Sequence, residues 1–273
     1  MTTVDVALPA TDRYRAATVL DVIRSEWTKL RTVPSTLWTV LVVTGLGVGF
    51  GALISRVSAQ AYANNTGDVR RQWDPTSIST AGGSLAQLAI GVLGALVITS
   101  EYSTGEIRGS LCAVPRRGRL LLAKMTVIAA LAFVVGEVTM FAAFFSGQAL
   151  IAGYAPTASL GDAGVLRALI GAGLYVALIA ALGVAFGTLL RSTAAAITVL
   201  IAMIYVLPGL AALLPASLSQ NIEKFWPTQA GQQVTAVMQP AHTLGPWQGL
   251  AEMAAFVAVA MAVAFVRLVR DDA

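Results

Sequence analysis

Apolar residues along this chain fall into long runs, with polar residues confined to the stretches between them. Runs at about 37–55, 82–100, 120–153, 165–190, 194–214 and 249–266 approach or exceed the roughly 20 residues with which an α-helix crosses a hydrocarbon core. Short segments of about ten alternating residues, the mark of a membrane β-barrel, are absent. The pattern predicts an all-α integral membrane protein of six spans.

Residues 16–33 have a different period. Val19, Leu20, Val22, Ile23, Trp27 and Leu30 recur at helical spacing against Asp21, Arg24, Glu26, Lys29 and Arg31. This predicts an amphipathic helix lying on the membrane, with a Trp for the interface. A charged tail that only fixes topology is the plainer alternative. Residues 1–15 are polar, contain Pro9 and are expected to be disordered. Pro34 should end the surface helix and turn the chain into the bilayer.

Within the spans, Gly45, Gly47, Gly49 and Gly51 offer small-residue faces for close helix contact, as do Gly183 and Gly187. Residues 56–79 read as a polar loop. The third run is longer than a bilayer is thick, so it should tilt, bend or project. Arg191-Ser192-Thr193 is a short connection that forces an antiparallel hairpin, and Pro208-Gly209 predicts a kink in the fifth span. The stretch 215–247 is too polar to span and too apolar for plain coil. It reads as a short outer-face or re-entrant helix.

Composition sharpens this reading. Of 273 residues, 56% are hydrophobic and 12% charged, and a soluble domain carries about a quarter charged. The mean hydropathy is +0.74. Cys112 and His242 are the only residues of their types, which excludes an intrachain disulfide, a Cys-rich metal site and a two-His zinc site. The first thirty residues lack an apolar h-region, so the first span is expected to serve as an uncleaved signal anchor. No GxxxxGK[ST] loop occurs. With the N-terminus inside, thirteen of the 18 basic residues fall on the inner side. Arg56, Arg70, Arg71, Arg167 and Lys224 remain outside, so both termini are expected to be cytoplasmic.

The stretch 101–124, EYSTGEIRGSLCAVPRRGRLLLAK, lies between the second and third spans. It predicts a short helix at the inner face. Glu101 and Glu106 toward its start and Arg108 after them suit the helix dipole. Gly105 and Gly109 keep one surface flat, and Pro115 ends the helix. Arg116, Arg117 and Arg119 can anchor on anionic headgroups or on acidic groups of a partner. A topogenic basic loop that touches no partner accounts for the same composition. Inside the spans, Glu137 should be protonated, paired or facing water. It could contact a cationic cargo or take part in proton-coupled gating, or simply hydrogen-bond a neighbouring span or a second subunit. Gln87 and Gln148 could glue helices or line a route.

Glu101-Tyr102, Gly105, Ile107, Arg108, Ser110-Leu111, Pro115, Arg117 and Lys124 together resemble the cytoplasmic signature of ABC transporter type-2 permeases. Ser25 to Arg31 is similar to the elbow helix that opens many actinobacterial members. The stretch 226–231, WPTQAG, is similar, more loosely, to an outer segment before the last span. The resemblance spans nearly the whole chain. It implies one permease domain over 16–273, with Glu26, Trp27, Lys29 and Arg31 in the elbow. The coupling segment 101–119 would dock on an ATPase through Glu101, Tyr102, Gly105, Glu106, Ile107, Arg108, Ser110, Leu111, Pro115, Arg116 and Arg117. It further implies two ATP-binding-cassette subunits holding ATP and Mg, no cofactor in this chain, and a second permease subunit, identical or homologous. The setting would be a bacterial plasma membrane. The expected activity is export of a hydrophobic or amphipathic small molecule, peptide or lipid-like cargo. An ion-coupled secondary carrier and an intramembrane enzyme are the competing classes. Repeats and broken helices at matching positions would favour the carrier, and His242 is poorly placed for the enzyme.

Overall fold

A computed structural model describes residues 18–65, 67–113, 117–240 and 242–270. Every regular element among them is helical. The expected disorder of 1–15 and the roles of Pro115 and Arg116 lie outside the described residues.

Helix α1 (Val19–Thr32) starts at a reciprocal cap. Asp21 N–H donates to Thr18 Oγ1, and Thr18 N–H donates to Asp21. Pro34 then sits in the first turn of α2 (Pro34–Asn64), where its missing N–H costs no helical bond. Short α3 (Asp68–Arg71) and α4 (Pro75–Ser79) lead to α5 (Gly83–Thr104). Gly105, at φ 76°, ends α5, and α6 (Glu106–Ala113) follows at once. Then come α7 (Arg117–Ile151) and α8 (Val165–Leu190). Arg191, at φ 51°, and the Ser192 cap reverse the chain into α9 (Thr193–Ile201). A π-helical turn (Ala202–Val206) joins α9 to α10 (Leu207–Ala211). Helices α11 (Ala216–Phe225) and α12 (Pro227–Gln232) and a 3-10 turn (Gln233–Thr235) precede α13 (Pro246–Arg270).

Six helical segments are long and apolar enough to cross a membrane: α2, α5, α7, α8, the run Thr193–Ala211 and α13. The most buried of them is α8, against which α5, α7 and α13 pack. Glycine permits the closest approach. A methyl at Gly94 would lie 2.2 Å from the Ala180 carbonyl oxygen, and one at Gly183 would lie 2.3 Å from that of Gly91. Of the four glycines in α2, Gly47 and Gly51 face neighbours, whereas Gly45 and Gly49 face open space.

Of the boundaries that differ from the sequence reading, three bear on the site or its loops. Helix α2 continues through the first part of the expected loop 56–79, because 56–64 contains no helix breaker and Gly67 is the first one reached. Arg56 is held there over the Tyr154 ring, 4.4 Å from its centroid. Helix α7 begins at Arg117 rather than 120. Glu101 belongs to the last turn of α5 and not to the start of the short helix, since the αL residue that separates the two helices is Gly105.

The break at Pro208 takes the form of a π turn. Leu207 N–H donates to the Ala202 carbonyl, so the next bond in that register would need an N–H on Pro208, which has none. The carbonyl left over is Met203's. It accepts from Trp226 Nε1 at 2.7 Å and from Thr228 Oγ1 at 3.1 Å. The α11–α12 segment is therefore latched to the broken span through an orphaned backbone acceptor.

Candidate functional site

The site lies at the end of the bundle where α1, the end of α5, α6 and the start of α7 meet. Its centre is Lys124, whose residue is 1% exposed. Lys124 comes from the run LLLAKMTVI, and the helix rise carries it inward beside Leu121 and Val127. Its Nζ donates to Glu101 Oε1 at 2.7 Å and to Glu26 Oε2 at 2.8 Å. Lys29 closes the group from the more exposed side, at 2.9 Å from Glu101 and 3.4 Å from Glu26. Lys29 Nζ also donates to Ser110 Oγ at 3.3 Å. Two acids and two lysines thus tie α1, α5 and α7 together, and Ser110 adds α6.

Electrostatics favours the paired state. Burial alone would lower Lys29, but Glu101 and Glu26 more than offset it and hold its ammonium above the ordinary lysine value. Isolated, Lys124 would be a desolvated cation. Here it has two carboxylate partners, the condition under which a buried charge is tolerated.

An apolar contact reinforces the ionic one. Ile107 of α6 is buried with Val22 of α1 and with Leu120 and Ala123 of α7, with Ile23 and Tyr102 packed against them. The Tyr102 ring lies 5.5 Å from the Arg191 guanidinium carbon. Arg117 Nη1 donates to the Leu268 carbonyl at 2.8 Å, and Arg267 donates to the Leu189 carbonyl, so the end of α13 is held at the same face. What α6 leaves outward is Glu106, Gly109 and Cys112, all exposed, with Gly105 just before them. A side chain at Gly109 would meet nothing within 4 Å. Trp27 and Arg31 are exposed on α1. The side chains of Arg108 and Leu111 lie outside the described residues.

The sequence reading collected Glu26, Lys29, Glu101 and Ser110, but on two separate elements. The structure brings these residues together. The sequence reading had Lys124 as the last residue of the cytoplasmic signature and as one of the basic residues of the inner side, but not as the centre of this network. The available signal was a lone lysine in an apolar run, which needs acids near it, and Glu26 and Glu101 are acids with apolar neighbours.

The intramembrane polar residues go to three different places. Gln148 Nε2 donates to the Pro75 carbonyl at 2.9 Å and to Ser79 Oγ at 3.2 Å, and its Oε1 accepts from Ala158 N–H at 2.8 Å. It staples α4 and the 151–164 loop to α7. Gln87 Nε2 donates to the Tyr205 hydroxyl at 3.1 Å. Glu137 Oε1 is buried without a hydrogen-bond partner, against Gly173 of α8. Among the described residues no group of three or more His, Cys, Asp or Glu could hold a metal ion.

Comparison with known families agrees with this architecture. A family model described as an ABC-2 family transporter protein matches residues 22–209, from within α1 to within α10. A search of curated proteins finds no match.

Proposed function

This chain belongs to the ABC-2 transporter family, and from that premise we propose that it is the permease subunit of an ATP-driven exporter. As a family member it is a multi-pass membrane component of a transport system and not itself a catalyst. The reading adds a separate ATP-binding-cassette subunit, which binds ATP and Mg and docks on α6. Two such subunits act on two permease subunits, identical or homologous. Both termini face the cytoplasm of a bacterial cell, by the distribution of basic residues. The cargo is hydrophobic or amphipathic.

One observation carries this reading. Helix α6 presents an outward surface, while Ile107 on its inner side packs on α1 and α7 and Ser110 accepts from Lys29 of the ion network that joins α1, α5 and α7. A push on α6 is then a push on two membrane spans. The linkage supports a coupling role more than a topogenic one, because a loop that only fixes orientation needs no buried contact such as that of Ile107 with α1 and α7.

The test uses the single cysteine. Cys112 is exposed on α6 and is the only thiol in the chain, so a cysteine-reactive photocrosslinker reports what touches that face. With the candidate ATPase co-expressed, the expected product is a crosslinked permease–ATPase pair. Gly109→Trp should abolish it, because a large side chain there enters open space and obstructs only a partner. A chain that co-purifies with no ATPase, and whose transport follows an ion gradient, would sink the proposal in favour of a secondary carrier.

A further inference from the structure

A groove of about 620 Å³ runs between α7, α8 and α13, starting at the end of the bundle that carries the ion network. Its walls lie within 118–129 of α7, 177–181 of α8 and 254–265 of α13, and every residue that lines it is apolar. The α7 and α13 walls each advance eleven residues, about 16 Å at the helical rise. That is close to half of the roughly 30 Å hydrocarbon core, so the groove spans one leaflet and stops near the bilayer centre. Leu122, Ala258 and Ala262 are exposed along it, so it opens sideways to lipid. Met125 and Met261 give it walls that adapt to a flexible chain. At its membrane-face end the Phe265 ring lies on Gly118, where a methyl would come within 2.5 Å of the ring.

That end is basic. Arg117 precedes Gly118, and its Nη1 donates to the Leu268 carbonyl, one turn beyond Phe265 on α13. Its guanidinium therefore stands where the two walls end. Arg119 follows in the first turn of α7, and Arg267 and Arg270 are exposed in the last turn of α13. Asp271 and Asp272, next in the sequence, leave these four arginines in excess. A guanidinium carries five N–H groups in a fork that matches phosphate, and a carbonyl partner does not cancel its charge. Depth and charge together choose the occupant. A membrane-spanning helix of a second copy would need an apolar face across both leaflets, and it would gain nothing from arginines at its end. An anionic lipid needs one leaflet of apolar wall and a basic group at the membrane face. We propose that the groove seats an acyl chain of an anionic phospholipid from the leaflet on the α6 side, with its phosphate at Arg117. The site goes beyond the permease reading and does not rest on it.

The test titrates the full chain, purified in detergent and stripped of lipid, with dioleoylphosphatidylglycerol and with dioleoylphosphatidylcholine. Native mass spectrometry counts the lipid bound. The two probes share their acyl chains and differ in net charge. The first phosphatidylglycerol should bind about tenfold more tightly than phosphatidylcholine, because each arginine near an anionic headgroup is worth roughly fivefold and more than one stands at this end. Arg117→Gln, which can still donate to the Leu268 carbonyl, should weaken phosphatidylglycerol about fivefold and leave phosphatidylcholine unchanged. Ala258→Trp fills the groove from its exposed side and should weaken both lipids at least about tenfold, the order of a buried side chain's worth of apolar contact. Val259→Trp, at the next exposed position of α13 and outside the lining, should weaken neither. Two groove variants are used so that a folding defect in one leaves the other to decide. Equal affinity for the two lipids in the unaltered chain, a charge preference that survives Arg117→Gln, or the same result for Ala258→Trp and Val259→Trp would overturn the proposal. A dimer that retains no lipid and is split by Ala258→Trp would overturn it too, and would give the groove to a second copy.

Discussion

Lys124 shows how much one side chain can hold. Replacing it with methionine keeps the volume but leaves Glu26 and Glu101 facing each other with only Lys29 between. Breaking a buried pair in this way costs about 3–5 kcal/mol. The expected result for Lys124→Met is a lowered thermal midpoint in detergent and poor yield. Adding Glu26→Gln to that variant should recover part of the loss, and the double-mutant cycle should show coupling well above zero. Lys29 adds a contribution that depends on alkaline pH. Its value is raised in the folded state, so its contribution is fully present below the ordinary 10.5 and is lost only as pH climbs through the higher folded value. Thermal midpoints of wild type and Lys29→Met should therefore differ at pH 8 and converge only above that range. The sequence showed the acids and lysines of this network but not their meeting. Glu26 and Glu101 are 75 positions apart, and no local period connects them.

Elements were legible wherever their cause was local. Pro34 at a helix start and the short turn at Arg191 were each readable from a few adjacent residues. The π turn was not. Its signal was only Pro208-Gly209, and its consequence depends on Trp226 and Thr228 arriving from eighteen or more positions on. This gives a prediction at the scale of the element. Pro208→Ala restores an N–H, lets the Met203 carbonyl be satisfied within the helix and removes the reason for the latch. The amides of the 216–235 segment should then exchange faster with deuterium, with a change in the 18–32 segment absent. Trp226→Phe should speed the same exchange by a different route, leaving the Met203 carbonyl with Thr228 alone, at a cost of about 1–3 kcal/mol.

Across the whole molecule, the two ends of the bundle are held differently. One end is joined by buried ions. The other is held by amide staples such as Gln148 and by the orphan-carbonyl latch. Between them α5 and α8 are pressed together at Gly94 and Gly183. Gly94→Val should cost at least the roughly 1–3 kcal/mol of an overpacked core and lower the yield of folded chain, because the obstruction is backbone that cannot rotate away. That contact makes α5 and α8 a closely packed pair. The ion network also carries a history. Glu26 leaves the ribosome long before Lys124, so α1 is synthesised first but cannot be seated until the third span has followed it. Until then its acid has no buried partner and the helix has reason to stay in the watery interface. Of the described helices the earliest made is among the last fastened, and a chain stalled before Lys124 would present α1 to added protease while the completed chain would not.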